Sequence, residues 1–180
     1  MKNIQRVSQL LQVVLIVLAV GVLLSYFIGW VILPSHISVK GISLSVLPHY
    51  VPITHPISAQ DKVVGFIVSL LPMMATIAVI GYLVLLFGLY AKGVIFDLQN
   101  VRIFNRIGRI MVGWCLLGSP IYQVLISLVL TIHNPPGHRM IMIHFAGSDL
   151  LLVIGSAMVW VMAWVMQEGV YMADEHKRII

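Results

Sequence analysis

Apolar residues along this chain are gathered into four long stretches, at about residues 9–33, 64–91, 109–132 and 149–167. A helix needs roughly 20 residues to cross the roughly 30 Å of hydrocarbon in a bilayer, and each stretch is close to or above that length. A Gly-Val pair follows both the second and the fourth stretch, at 93–94 and 169–170, which favours two related hairpins. The pattern predicts an all-α polytopic membrane protein, with residues 1–180 as a single four-helix domain.

The composition indicates that lipid, not water, is the solvent for most of the surface. Hydrophobic residues make up 60% of the chain and charged residues only 9%, whereas a soluble domain carries about 25% charged residues. The net charge of +5 has no soluble basic domain to carry it, so we expect no direct contact with nucleic acid. Lys2 and Arg6 precede an apolar run that is too long for a signal peptide, which predicts an uncleaved anchor helix.

Lysine and arginine residues are distributed unevenly between the two predicted sides of the membrane. Eight of the 11 lie in the N-terminus, the middle connecting segment 92–108 and the C-terminus with their flanks, and three lie in the segments 34–63 and 133–148. Short cytoplasmic segments are enriched in these residues. Both termini and the middle segment are therefore predicted inside, next to anionic lipid.

Small residues and prolines interrupt the apolar stretches. One face of the first span has a small residue at every fourth position, which predicts close packing of another helix at Gly21, Ser25 and Gly29. Pro72 and Pro120 lie inside the second and third spans, where the missing N–H favours a kink. The neighbouring hydroxyls of Ser69 and Ser119 could satisfy the carbonyls that the prolines release.

The first connecting segment has a strand-like pattern. Apolar residues alternate with polar or small ones on both sides of Lys40-Gly41, at Ile37, Val39, Ile42, Leu44 and Val46. This alternation predicts a short β-hairpin, which ends before the Pro-rich stretch 48–56.

The middle segment has the features of a helix start. Gly93 follows the second span, as a glycine commonly follows the end of a helix. Asp97 is predicted to cap a helix that continues into the third span. Three arginines fall on one face of that helix, at Arg102, Arg106 and Arg109. They either mark the segment as cytoplasmic and touch anionic lipid, or form a docking surface for a partner together with Asp97 and Asn100.

The most specific part of the sequence runs from residue 89 to residue 109. It reads Leu89-Tyr90-Ala91-Lys92-Gly93-Val94-Ile95-Phe96, then Asn100-Val101-Arg102, then Arg106-Ile107-Gly108. These runs resemble the bacterial family called "domain of unknown function 2975", with its Tyr-x-x-Gly-x-x-Phe, Asn-Val-Arg and basic Ile-Gly pattern. Asp97 stands where the family more often has Ser or Thr, and all three cap helices.

The resemblance implies a small four-helix protein of the bacterial cytoplasmic (inner) membrane. Members of the family are often encoded beside a small helix-turn-helix regulator of the Cro repressor type. The resemblance therefore implies a cytoplasmic regulator as a partner, by analogy and not by mechanism.

Catalytic and transport chemistry find little support in the sequence. No ionisable residue falls well inside any of the four spans, whereas proton relays and ion pathways normally need one there. The single cysteine, Cys115, has no histidine near it in the sequence, and no nucleophile lies beside a base in a recognisable motif. We predict that the protein is not an enzyme and uses no cofactor.

The histidines allow two interpretations. Six of the seven lie in the segments predicted outside, at His36, His49, His55, His133, His138 and His144. Histidine avoids hydrocarbon, so about three or four would lie there by chance, and their spacing matches no metal motif. We prefer structural or solvated histidines. A zinc or copper site drawn from His49, His55, His133, His138 and His144 remains the alternative.

These features favour a non-enzymatic membrane signalling or regulatory protein. The outer segments would sense a ligand or a stress, and the middle segment and C-terminal tail would hold a cytoplasmic partner. One alternative is an outward-facing metal-binding or metal-tolerance protein. Another is an accessory subunit of a larger membrane complex, or a homo-oligomer, that packs through the Gly21 face.

The orientation can be checked with single cysteines in a Cys115→Ala background. Because the Lys and Arg asymmetry puts residues 34–63 outside, Tyr50→Cys should react with an impermeant maleimide added to intact cells. A cysteine in segment 92–108 should react only after the cells are opened. Labelling of position 50 from the cytoplasmic side alone would contradict the predicted orientation.

Overall fold

The computed structural model describes residues 2–31, 37–39, 42–44, 58–95, 97–135, 137–144 and 147–178. These residues form the helices α1 (Lys2–Val31), α2 (Ala59–Ala91), α3 (Leu98–Gly113), α4 (Ser119–Thr131) and α5 (Gly147–Arg178). A π-helical turn, Trp114–Gly118, joins α3 to α4. The described chain has four helical segments long and apolar enough to cross a membrane: Ile4–Trp30, Ala59–Ala91, Leu98–Thr131 and Asp149–Met172. The predicted multi-pass helical protein is confirmed at this level.

The helices are longer than the apolar stretches that predict them. The third helix begins at Leu98, well before the predicted span at 109, and α5 continues to Arg178, beyond the predicted end at 167. Backbone hydrogen bonding carries a helix on through polar residues, whereas hydropathy marks only the part that suits lipid. Most of the middle segment 92–108 is consequently helix, and only the few residues between Ala91 and Leu98 connect α2 to α3.

Two short strands, β1 (Ile37–Val39) and β2 (Ile42–Leu44), lie where the alternating pattern predicts a hairpin. They pair antiparallel, with Ile37 opposite Leu44, Ser38 opposite Ser43 and Val39 opposite Ile42. The predicted turn residues Lys40 and Gly41, and Val46, lie outside the described residues.

The chain divides into two compact units. Unit 1 consists of Met1–Ala19, Ala75–Cys115 and Gly147–Ile180, and unit 2 of Val20–Met74 and Leu116–Ala146. In unit 1, α3 packs against α5, with Val101, Ile107 and Gly108 buried. Gly108 lies against Trp160 and Met111 lies beside Gly155, so the two helices run antiparallel.

Unit 2 has an aromatic core. Trp30, Ile126 and Leu130 are buried together. The Trp30 indole N–H donates a hydrogen bond to Ser69 Oγ over 3.0 Å. A Cβ at position 65 would lie 2.2 Å from the Trp30 ring, so only glycine allows the ring to lie there. Trp30 thus fixes the end of α1 against α2 through both packing and a hydrogen bond.

The predicted packing face of α1 makes no close contact within the described chain at its first position. A Cβ built at Gly21 would meet nothing within 4 Å. Ser25 is exposed, and its hydroxyl donates to the Val22 carbonyl of its own helix. Close approach within the described chain occurs instead at Gly65, where Trp30 supplies the bulk, and packing of another helix at Gly21, Ser25 and Gly29 stays a prediction. Gly29, near the same end, is half-buried.

The two prolines are accommodated differently. α2 passes through Pro72 without interruption, whereas Pro120 directly follows the π-helical turn. Proline has no N–H to offer the carbonyl four residues earlier, and a wider turn is one way for a helix to adapt. Ser69 Oγ accepts from Trp30 and Ser119 Oγ accepts from the Gln123 amide. Both serines therefore join polar contacts that the sequence does not predict.

An extended segment, residues 138–144, lies along α4. Thr131 Oγ1 donates to the Met140 carbonyl and accepts from the Met140 N–H. Ser127 Oγ accepts from the Met142 N–H, and Gln123 Oε1 accepts from the His144 N–H. We call these hydrogen bonds between α4 and residues 140–144 the ladder. Just before the ladder, a turn at Gly137 (φ 92°) reverses the chain, and the Asn134 amide donates to the His138 carbonyl.

The ladder works because two periods match. Four residues of α-helix rise about 6 Å, and two residues of extended chain advance about 6.6 Å. Side chains at 131, 127 and 123 can thus meet alternate backbone groups at 140, 142 and 144. The segment returns about 12 Å along α4, beside the predicted third span. These residues of the segment predicted outside are therefore held to α4 by hydrogen bonds, although most of their side chains are exposed.

Replacement of Ser127 tests the ladder. Ser127 and Ser25 both donate to the carbonyl three residues earlier, at Val124 and Val22, but Ser127 also accepts from Met142 and is fully buried. Ser127→Ala should therefore lower the free energy of unfolding by about 1–3 kcal/mol, since it leaves the part-buried Met142 N–H without its acceptor.

Ser25→Ala is the matched control and should change stability little. Unfolding in mild detergent, followed by circular dichroism, measures both variants. Equal stabilities of the two variants would show that the ladder contributes nothing.

Candidate functional site

The turn between α2 and α3 begins with a helix-ending motif. Gly93 has φ +82°, and its N–H donates to the Tyr90 carbonyl, while the Val94 N–H donates to the Leu89 carbonyl, each over 3.0 Å. These two bonds are the Schellman arrangement, which satisfies the last carbonyls of a helix and requires a left-handed residue. The prediction that Gly93 ends the second helix is confirmed. The requirement also explains the glycine in the run Tyr90 to Phe96.

Asp97 caps α3, as predicted. Its backbone is extended, and its Oδ1 accepts from the Gln99 N–H over 2.7 Å. This hydrogen bond satisfies one of the N–H groups that the first turn of a helix leaves without a partner. The carboxylate is therefore hydrogen-bonded at the start of α3. Its negative charge is also stabilised there by the positive end of the helix dipole.

Asn100 cannot be part of a docking surface, and that prediction is wrong. Its side chain is fully buried, with 0% of its area exposed. Its amide donates to the carbonyls of Val94 and Ile95, over 3.0 and 2.6 Å. Asn100 therefore holds the turn against α3 from inside, through the two carbonyls that accept from its amide. Its Oδ1 accepts no hydrogen bond from the described residues.

Three exposed arginines form the arginine face, which we define as Arg102, Arg106 and Arg109. The Arg106 guanidinium lies 5.7 Å from the centroid of the Tyr82 ring on α2, within reach of a cation–π interaction. Arg109 Nε donates to the Asn105 carbonyl. Among the side chains that the structure describes, which in α5 end at Met172, no carboxylate forms an ion pair with any of the three. The arginine face is thus an exposed basic surface of α3.

A cavity of about 530 Å³ opens beside the arginine face. It lies between the N-terminal part of α1, the last turns of α2 and the first turns of α3. Its polar lining residues are Gln9, Gln12, Lys92 and Gln99. Sequence reasoning from ionisable residues in the spans does not find this cavity, because most of its polar lining is amide. The feature of the sequence that could have indicated the cavity is a pair of glutamines, three positions apart, in the apolar first stretch.

The described histidines make contacts of different kinds. His133 Nδ1 lies 3.0 Å from Asp61 Oδ1. His138 and His144 contact α4 and its end through their backbone groups. Asp61 is also engaged in capping α2, through reciprocal hydrogen bonds with Ser58. Within the described residues no group of three or more His, Cys, Asp or Glu could hold a metal. His36, His49 and His55 lie outside those residues.

Comparison with known proteins identifies a family. The model of the family described as "Protein of unknown function (DUF2975)" matches residues 49–180, which include the whole run 89–109. The resemblance found in the sequence is thereby confirmed. No curated protein and no solved structure matches the chain.

Replacement of Gly93 tests the turn. An L residue in a left-handed backbone costs about 1–2 kcal/mol, so Gly93→Ala should lower the free energy of unfolding by that amount. A Cβ at this position would make only an ordinary contact with Gln5, so the backbone conformation is the cause.

Gly113→Ala in α3 is the control, since a Cβ there meets nothing within 4 Å. It should raise stability by about 0.5–1 kcal/mol through helix propensity. Thermal unfolding of the two variants measures the difference. A Gly93→Ala protein as stable as the parent would rule out the assigned turn.

Proposed function

The chain belongs to the DUF2975 family, and on that premise we propose that it is a non-enzymatic signalling or regulatory protein of the bacterial cytoplasmic membrane. In this proposal the arginine face holds a cytoplasmic partner. The observation that carries the proposal is the exposure of Arg102, Arg106 and Arg109 on one side of α3, without an ion pair to any side chain that the structure describes. Arginines left available in this way suit recognition of carboxylates or phosphates.

The rigidity of α3 supports the proposal. One side of the helix is buried against α5, at Val101, Ile107 and Gly108. Its start is held by the Asp97 cap and by the buried Asn100 amide. A surface fixed before binding loses less conformational entropy when a partner arrives. The same contacts direct the arginines away from the packed side of the helix.

The proposed orientation has both termini and the α2–α3 turn in the cytoplasm, with the four spans as two hairpins. The lysine and arginine count supports it, with eight residues on that side and three on the other. The segments 34–63 and 133–148 would then receive the signal. The partner would present an acidic surface to the arginine face, and a small helix-turn-helix regulator is the partner that the family association suggests.

Anionic lipid is the competing ligand for the arginine face. Lipid headgroups attract any positive charge near the membrane, whereas a protein carboxylate can accept two hydrogen bonds from the planar guanidinium at once. Lysine keeps the charge and loses the bidentate geometry. An Arg-to-Lys exchange therefore separates the two ligands.

The Arg102→Lys, Arg106→Lys, Arg109→Lys triple variant should lose its partner. We expect binding to weaken by about 1–3 kcal/mol, because charge-assisted hydrogen bonds are replaced by charge alone. Capture of the partner from solubilised membranes, at equal expression of both proteins, measures the effect. Membrane insertion and orientation should not change, because the Lys and Arg count is the same.

Arg139→Lys is the matched control, since Arg139 lies in unit 2, where its Nε donates to the Asn134 carbonyl. It should retain the partner in full. Full retention by the triple variant as well would reduce the arginine face to an orientation signal and end the docking proposal.

A further inference from the structure

The cavity beside the arginine face has the size and lining of a ligand site. Its volume of about 530 Å³ falls within the range of roughly 300–1,000 Å³ that small-molecule sites occupy. Its apolar wall comes from α2 and α3, at Val84, Leu85, Leu89 and Ile103. Its polar side comes from α1, from α3 and from Lys92, which directly follows α2. From this lining we propose that the cavity binds one anionic amphiphile, a carboxylate or phosphate group carried on an apolar chain.

The polar groups of the cavity are available to a ligand. Within the described chain, no hydrogen bond or ion pair engages the side chains of Gln9, Gln12, Lys92 or Gln99. Each glutamine amide has two N–H donors, and the lysine ammonium has three. Gln12 is half-buried among apolar residues of α1, where an amide without a partner is costly, while Gln9, Lys92 and Gln99 are exposed. The ligand group that satisfies these donors is an acceptor.

The charge of the lining selects an anion. Among the described residues that line the cavity, Lys92 is the one that ionises and none is a carboxylate. Three amides beside one ammonium can surround a carboxylate or a phosphate with hydrogen bonds, at least one of them charge-assisted. A cation would meet an uncompensated positive charge instead.

The apolar wall requires a chain on that anion. A soluble anion would touch only Lys92 and the glutamines and would leave Val84, Leu85 and Leu89 uncovered. These residues belong to the last turns of an apolar helix that ends at Ala91, one residue before Lys92. Apolar surface next to a basic residue at the end of a candidate span is where the headgroup and the chain of a membrane amphiphile meet.

Gly88 keeps the cavity open. A Cβ at this position would lie 3.3 Å from Gln12 Nε2, the mobile end of a long side chain. Gly88→Leu can therefore fold with a small movement of Gln12, but its side chain fills the space that a ligand needs. Gly81 is seven residues earlier on the same helix, and a Cβ there meets nothing within 4 Å. Gly81→Leu adds the same side chain without touching the cavity.

The test is lipid binding by the purified full chain. Delipidated protein in mild detergent is titrated with dioleoylphosphatidylglycerol, and native mass spectrometry counts the bound molecules. We expect one tightly bound lipid per chain. Lys92→Gln should weaken its binding about tenfold or more, the loss expected when a charge-assisted hydrogen bond is removed. Gly88→Leu should weaken it at least as much, because it occupies the site.

Matched controls separate this site from general attraction. Lys62→Gln removes a lysine near the other end of α2, and Gly81→Leu adds bulk elsewhere on that helix. Both should bind as the parent does. A loss with Lys62→Gln equal to that with Lys92→Gln, or no loss with Gly88→Leu, would overturn the proposal.

Three further probes identify the recognised chemistry. Oleate has a carboxylate on a single acyl chain. It should bind with the same dependence on Lys92 and Gly88 if the site recognises any anion on an apolar chain. A preference for phosphatidylglycerol over oleate would identify phosphate as the recognised anionic group, and the reverse preference would identify carboxylate. Dioleoylphosphatidylcholine has the same chains without net charge and should bind about tenfold more weakly. Equal binding of phosphatidylcholine, or Lys92-dependent binding of inorganic phosphate alone, would contradict an anionic amphiphile.

Discussion

A backbone within hydrocarbon must find hydrogen-bond partners inside the protein, because no water is present to supply them. The helices satisfy this requirement within themselves. The segment 138–144, which follows the third candidate span, has its backbone groups bonded through α4, whose Gln123, Ser127 and Thr131 side chains bond to its alternate residues. Polar side chains inside the third span therefore have a structural explanation. They support a second piece of backbone, and no transport pathway is needed to account for them.

The same requirement shapes the connection between α2 and α3. A short turn must satisfy the last carbonyls of one helix and the first N–H groups of the next. The N–H groups of Gly93 and Val94 donate to the carbonyls of Tyr90 and Leu89. The Asp97 carboxylate accepts from the Gln99 N–H. The buried Asn100 amide donates to the carbonyls of Val94 and Ile95. A tight, satisfied turn fixes where α3 starts and hence where the arginine face and the cavity lie. The distinctive residues of the run 89–109 therefore act mainly to stabilise the turn and the start of α3.

The features predicted correctly from the sequence are those set by local chemistry. Hydropathy identifies the spans, a carboxylate before a helix identifies the Asp97 cap, and the glycine after a span identifies the turn. Features that depend on distant contacts were missed or mistaken. Nothing near Asn100 in the sequence shows that it is buried, and nothing near Gly21 shows that the bulk of Trp30 lies against Gly65 instead. The cavity needs three helices at once, so no single stretch of sequence reveals it.

Three faces of α3 have three different roles. Asn100, Val101, Ile107 and Gly108 are buried, Gln99 and Ile103 line the cavity, and Arg102, Arg106 and Arg109 face outward. With about 3.6 residues per turn, the cavity residues and the arginines occupy adjacent faces of one helix. Two ligands bound to adjacent faces of a rigid helix share its electrostatic environment. Any effect of the amphiphile on partner affinity must then be matched by an equal effect of the partner on amphiphile affinity, because binding free energies are linked reciprocally.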